Sequence, residues 1–123
     1  MFLFDLYLGK SKEKFKEKFN NLLFKWSGLP SNVIQEKQIQ ISENESIHTI
    51  EIKENNPPKN RMNIVLVHGY GGSGIIFYKL FKYLYSYLNI YSIDIRGQGL
   101  CLKAKKKKLK TREDADDFFI EGI

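Results

Sequence analysis

Apolar and polar positions alternate along this chain in two rhythms, one helical and one of period two. Within residues 1–26, Phe15, Phe19, Leu22, Leu23 and Trp26 recur at helical spacing, while Lys12, Lys14, Lys16, Glu17 and Lys18 lie mostly on other faces. That is the pattern of an amphipathic helix, and Gly28 and Pro30 end it. The rhythm then drops to two. Across Val33–Ile41 and Ser46–Glu54, Ile39 and Ile41 alternate with glutamine, and Ile50 and Ile52 flank Glu51. The turn-forming Ser42-Glu43-Asn44-Glu45 joins the two runs, so the pattern predicts an antiparallel hairpin with one buried and one wet face. Adjacent prolines and asparagines make 55–60 a loop.

The next run, Ile64-Val65-Leu66-Val67, has no polar side chain and leads into His68-Gly69-Tyr70-Gly71-Gly72-Ser73-Gly74. It predicts a parallel strand over 63–68, covered on both faces. A helical pattern over Ile75–Leu88 and a second apolar strand over 90–95 follow. Strand, helix and strand at this spacing predict a βαβ crossover, right-handed by the general rule. Residues 100–110 read as a lysine-rich loop. Thr111 then offers an N-cap with Asp114 placed to reach back, and Phe118, Phe119 and Ile123 give the last helix an apolar face. There is no internal repeat.

With 123 residues, 42% of them hydrophobic and 14% aromatic, the chain suffices for one modest domain with a real core. It is short for a complete doubly wound enzyme. The net charge of +6 raises nucleic acid or an anionic membrane as partners. Lys103, Lys105–Lys108 and Lys110 read as a solvated loop, because no aromatics are interleaved for base stacking, and no nucleic-acid partner is expected. The one cysteine, Cys101, excludes an internal disulfide framework, fits a reducing compartment and reads as an inert thiol. No apolar run approaches the roughly 20 residues of a membrane span, and Met1-Phe2-Leu3-Phe4, broken by Asp5, lacks the features of a secretory signal. The expected location is the cytoplasm. Attachment to a membrane or lipid droplet would fall to the N-terminal helix, whose aromatic stripe either packs on the domain or lies in a lipid interface with lysines at the headgroups.

The glycine loop carries the chemistry. A strand, a glycine loop and a helix start aim backbone N–H groups at negative charge, and two readings follow. Gly69, Gly71 and Gly74 match G-x-G-x-x-G, with Asp94 at the distance of a ribose-binding acid, which suggests a dinucleotide-binding domain. Against it, His68 stands where a small or apolar residue is usual. Ile75, Ile76 and Phe77 should also keep the helix from the close packing the third glycine allows, and a hairpin precedes the first buried strand. Ser73 reads as a turn or N-cap residue, not a nucleophile, and His48 as an ordinary surface or edge position on a strand.

The second reading rests on two motifs in register. His68-Gly69-Tyr70-Gly71-Gly72 and Asp94-Ile95-Arg96-Gly97-Gln98-Gly99 together resemble the α/β-hydrolase family, whose third strand ends in His-Gly-x-Gly-Gly and fourth in Asp-x-x-Gly-x-Gly. The resemblance covers roughly residues 33–123. Trp26, Phe77 and the acidic Phe-Phe helix are similar to the lysophospholipase and acyltransferase-like group within it.

The resemblance implies an α/β architecture, namely a partial α/β-hydrolase fold. An amphipathic helix (1–28) would precede a hairpin and a βαβ unit (29–123), with truncation before the nucleophile elbow. It implies activity on acyl esters, lipid esters foremost, by hydrolysis or acyl transfer, without cofactor or metal. In acyl transfer, fixed N–H donors stabilise the oxyanion by about 3–4 kcal/mol each, and one donor comes from the β3–αA loop. Carried over, that donor is the backbone N–H of Tyr70. His68, Gly69, Gly71 and Gly72 would shape the loop, and Asp94, Gly97 and Gly99 would build the turn after the next strand.

The departures are equally plain. No Gly-x-Ser-x-Gly occurs, His48 and His68 are the only histidines, and Cys101 stands where the family often has serine. The chain lacks a Ser-Asp-His triad and alone should hydrolyse nothing, which leaves its status as an enzyme open. A dinucleotide-binding domain and a non-catalytic lipid-surface module remain as alternatives.

Overall fold

The computed structural model describes residues 12–101 and 110–120. Residues 1–11 of the expected helix, the lysines from 103 to 108, and the apolar side chains expected at Phe118, Phe119 and Ile123 lie outside the described part. Helix α1 spans Lys12–Asn20 and continues into a wider, π-helical turn, Asn21–Trp26. The hairpin follows as β1 (Ile34–Ser42) and β2 (Glu45–Ile52), antiparallel, with Ser42 opposite Glu45 across a two-residue turn. Next come β3 (Asn63–Val67), a 3-10 turn (Gly74–Phe77), α2 (Tyr78–Leu84) and β4 (Asn89–Ile93).

The helix expected over Ile75–Leu88 is therefore shorter at both ends. Tyr87 and Leu88 both donate to the Leu84 carbonyl and close the helix, because Asn89 must enter the sheet, where its N–H bonds the Met62 carbonyl. The last helix, α3 (Arg112–Ile120), opens as its sequence implies: Asp114 N–H donates to Thr111 Oγ1 at 3.0 Å, and Thr111 N–H donates back to Asp114 Oδ2 at 3.1 Å.

The strands form one mixed sheet in the order β1-β2-β4-β3, with β2 antiparallel to β4 and β3 parallel to β4. One face carries Ile34, Ile50, Ile52 and Ile90, all buried, and it is packed by Phe15 and Phe19 of α1, Leu23 of the π-helical turn, Ile75 of the 3-10 turn and Phe81 of α2. The aromatic stripe of α1 thus shares one core with the sheet. Each such side chain removed from water contributes roughly 1.5–3 kcal/mol. Trp26 is the exception in the stripe and stays 70% exposed.

The run at 64–67 departs from expectation. It is an edge strand covered on one face only: Ile64 and Leu66 pack on the core, while Val65 and Val67 are 58% and 46% exposed. Continuous hydrophobicity signals burial on two faces in a parallel sheet covered by helices; here the Val65–Val67 face is left open, and among the described residues no further strand pairs with β3. Among the described residues, no helix is long and apolar enough to cross a membrane.

Candidate functional site

β3 and β4 run parallel, so the loops leaving their carboxyl ends meet at one rim of the sheet. The sequence dictates how. His68, at the end of β3, is buried; its Nδ1 lies 2.6 Å from the Gly69 carbonyl and its Nε2 accepts the Ile95 N–H at 2.9 Å. That arrangement places the ring proton on Nδ1 and leaves Nε2 an acceptor. His68 therefore ties the glycine loop to the turn after β4. Gln98 makes a second tie, its side-chain oxygen accepting the Gly71 N–H at 3.0 Å. Within the loop, Gly72 N–H donates to Gly69 O at 3.1 Å. Tyr70 projects from the tip, 80% exposed, and its N–H has no partner among the described residues.

Asp94 lies beneath the loop, 1% exposed. Its Oδ1 accepts the Gly74 N–H at 2.6 Å and the Ser73 hydroxyl at 2.7 Å. Its Oδ2 accepts the Leu100 N–H at 2.9 Å and faces His48 Nδ1 at 3.0 Å. One carboxylate thus fixes the start of the helix turn, the end of the Arg96–Gly99 turn and a strand of the hairpin. Gly99 follows from this. Its φ is +56°, and a Cβ there would run into the Asp94 carboxylate, so only glycine lets the turn close over the acid. Arg96 pins the same turn to β2 by donating from Nε and Nη2 to the two Glu45 oxygens at 3.0 and 2.6 Å, and Gly97, at φ +76°, sits between the two anchors.

His48 is not the surface or edge residue its strand position suggested. It is 3% exposed, with Nδ1 at 3.0 Å from Asp94, Nε2 at 3.0 Å from Glu36 Oε1, and its ring edge-on to Phe19 at 5.2 Å. Two carboxylates facing both ring nitrogens require both to carry protons, so His48 is an imidazolium. Burial opposes its charge, but the hydrogen bonds to Asp94 and Glu36 outweigh burial and hold its pKa above the ordinary value. Asp94 is likewise pushed up by burial and pulled further down by His48, Leu100 and Gly74, for a net lowering. The hydrogen bond from His48 is the main reason Glu36 lies low.

Ser73 occupies the N-cap position of the 3-10 turn, yet its hydroxyl turns to Asp94 instead of capping. Serine, aspartate and histidine are therefore together, but with the carboxylate in the middle. The imidazole touches the acid and never the hydroxyl, and no base is placed to take the serine proton. This is a structural network. Cys101 joins it, with Sγ accepting the His48 N–H at 3.3 Å, and burial pushes the thiol up to about 11. Such a thiol is unreactive at neutral pH.

The dinucleotide reading loses its acid here, since both Asp94 oxygens are committed and the residue is closed to solvent. One objection to that reading also falls. The bulky residues after Gly74 do not hold the turn away from the sheet: a Cβ on Gly74 would lie 2.8 Å from Ser92 Oγ and 3.1 Å from the Ile93 carbonyl. Close approach is achieved, and it serves the contact with β4.

Residue reasoning missed Glu36, His48, Gln98 and Ser73 as parts of the network. For His48 a signal existed: the inward period of Ile50 and Ile52, carried back two residues, reaches it. Nothing in the sequence marks Gln98, whose role depends on where two distant loops meet. Among the described residues, no cluster suited to a metal ion is present.

No family model and no curated protein matches the chain. Solved structures do. The haloalkane dehalogenase DatA from Agrobacterium tumefaciens C58 aligns with a TM-score of 0.51 at 17% identity, over 72% of this chain and 27% of its own. The protein lip1 from Acinetobacter baumannii AYE, assigned as a lipase, aligns with a TM-score of 0.54 at 18% identity, over 91% of this chain and 33% of its own. Both have the α/β-hydrolase fold, and at such identity the likeness concerns fold. The chain has a partial α/β-hydrolase fold, with an amphipathic helix, a hairpin and a βαβ unit. It spans about a third or less of the length of these structures.

Proposed function

We propose that this chain is the N-terminal portion of an α/β-hydrolase-family protein acting on acyl esters, lipid esters foremost, by hydrolysis or acyl transfer, and that it contributes the oxyanion loop. One observation carries the reading. In the glycine loop the N–H groups of Gly71, Gly72 and Gly74 are spoken for, by Gln98, Gly69 and Asp94; those of Gly69, Tyr70 and Ser73 have no partner among the described residues, and of these Ser73 is buried while Tyr70 stands at the exposed tip. A donor held on a braced loop, at the carboxyl rim of parallel strands, suits charge that develops on a carbonyl oxygen during attack. Its geometry is set beforehand by His68 and Gln98, so no reorganisation is needed at the moment of reaction.

The unfinished edge supports the same reading. Among the described residues β3 ends the sheet, so its unpaired backbone edge invites another strand, and Val65 and Val67 lie bare on a face that a covering layer would bury. In the parent protein that strand would lead to the nucleophile, which is absent from these 123 residues along with a catalytic base. This portion by itself is inactive. Within the family, the Trp26 segment, Phe77 and the acidic last helix favour the lysophospholipase and acyltransferase-like group.

The coding frame beyond Ile123 tests the proposal. A Gly-x-Ser-x-Gly segment within some tens of codons is the expected result. A frame that continues without one, or that stops there, contradicts it.

A further inference from the structure

His48 is held by two carboxylates that differ in what they can do without it. The Asp94 side chain is 1% exposed. Its Oδ2 also accepts the Leu100 N–H at 2.9 Å, and its Oδ1 takes the Gly74 N–H and the Ser73 hydroxyl. Backbone donors fix it, so it has no room to turn away. Glu36, on β1, has a side chain 26% exposed. The oxygen that meets His48 Nε2 at 3.0 Å also accepts from Lys16 Nζ at 2.6 Å. Glu36 therefore keeps a partner, and reaches water, when the imidazole lets go.

Among the described residues, the other charged and polar groups around the ring are engaged elsewhere or exposed. From α1 come Lys16, on Glu36, and the Phe19 ring, edge-on to His48; Glu13, Lys14, Glu17 and Lys18 of the same helix are exposed. On β1, Gln38 stands opposite His48, but its side chain is bonded to Ser46 and Leu100. After β4, Cys101 accepts the His48 backbone N–H, and a thiol pushed up to about 11 stays neutral. Glu45 is engaged by Arg96. Lys37 and Glu51 pair with each other on the opposite face of the sheet.

A neutral imidazole has one N–H and one lone pair, so loss of the proton must turn a lone pair against one of the two carboxylates. A proton kept on Nδ1 leaves the enclosed Asp94 satisfied. A proton kept on Nε2 would leave a buried carboxylate oxygen without its donor, the costlier loss. The break therefore falls at Glu36. We propose that His48 is a pH-sensitive latch: charged, it ties Glu36, and through Lys16 helix α1, to the rim of the sheet; neutral, it frees Glu36 while still holding Asp94 and the glycine loop. The latch does not depend on the acyl-ester reading. Because the two carboxylates outweigh burial in favouring the charged ring, it opens above the ordinary imidazole range.

His48 and His68 are the only histidines, so the ring nitrogens of the isotope-labelled whole chain give few signals in NMR spectra. The titration runs from about pH 5 to 9. As pH rises, Nε2 of His48 should lose its proton while Nδ1 keeps its own, and the Glu36 carboxylate carbon should shift with the same midpoint. Amide exchange between Phe15 and Phe19, corrected for its intrinsic pH dependence, should speed up about three- to tenfold. The Gly74 and Leu100 amide signals, set by Asp94, should move little. In Glu36→Gln the side chain accepts from the charged ring and donates to the neutral one, so the His48 midpoint should fall and the step in α1 should vanish. A proton lost from Nδ1, with Gly74 and Leu100 moving instead, overturns the proposal by putting the break at the loop. So does α1 exchange without a step at the His48 midpoint, a step that survives Glu36→Gln, or a His48 ring that does not titrate over this range.

Discussion

His48 and Asp94 meet at 3.0 Å beneath the glycine loop, and Glu36 closes on the other ring nitrogen at the same distance. This pairing joins three parts of the fold: Glu36 lies on β1 beside Lys16 of α1, His48 on β2, and Asp94 at the end of β4 beneath Gly74. A buried charge is tolerated only when paired and hydrogen-bonded. Here every member is met by another, and the geometry of the rim depends on all of them.

Asp94→Asn leaves the imidazolium with one carboxylate and turns one of the two oxygens, each of which meets two donors, into an NH2 that cannot accept. Losing one partner of a buried pair costs about 3–5 kcal/mol, a large share of a small domain's stability. Urea unfolding should show that loss. A change under 1 kcal/mol would mean that the network contributes little.

Stability should form a dome in pH. His48 has a raised folded pKa, so its contribution is complete below the unfolded value of about 6.5 and disappears as pH rises through the higher folded value. Asp94 and Glu36 are lowered, so theirs is present above the unfolded values of about 4 and disappears as pH falls through the folded values. The maximum is expected between about pH 4.5 and 6.5, measured as unfolding free energy across pH. Stability that rises steadily from pH 6 to 8 would show His48 to be neutral in the fold.

Gly74→Ala tests the contact between the 3-10 turn and β4. The added methyl meets Ser92 Oγ and the Ile93 carbonyl, and overpacking of this kind costs about 1–3 kcal/mol. Adding Ser92→Ala should recover only part of the loss in melting experiments, because the backbone carbonyl cannot withdraw. Full recovery would place the strain on the Ser92 side chain alone.

Titration with NAD or FAD should give no saturable heat. The acid such a site needs is enclosed and fully engaged, and the sheet mixes antiparallel and parallel neighbours. Saturable binding that weakens in Asp94→Ala would restore the dinucleotide reading.

Much of the architecture was legible in the chain because its signals are local. The two β-rich runs around Ser42-Glu43-Asn44-Glu45 mark the hairpin, and Thr111 with Asp114 marks the start of the last helix. The single buried face expected for the hairpin was wrong, since Ile39 and Ile41 are 50% and 40% exposed on the face opposite Ile50 and Ile52. Gly69 to Gly74 mark the loop itself. What escaped depends on distance. The isolation of β3 at an edge cannot be read from Val65 and Val67, whose hydrophobicity is the same with or without a neighbour. The burial of His48 depends on Glu36 and Asp94 arriving from two other strands. Gln98 reaches Gly71 only because two loops leave parallel strands side by side.

The role proposed for the Tyr70 N–H is to meet the oxygen of an acyl group under attack. The direct measurement is a crystal structure of the protein translated from the complete reading frame, after reaction with a fluorophosphonate that leaves a tetrahedral adduct on the nucleophile. The phosphoryl oxygen is expected within about 2.7–3.1 Å of the Tyr70 nitrogen. An adduct whose oxygen is held by other donors, with Tyr70 turned away, would contradict it.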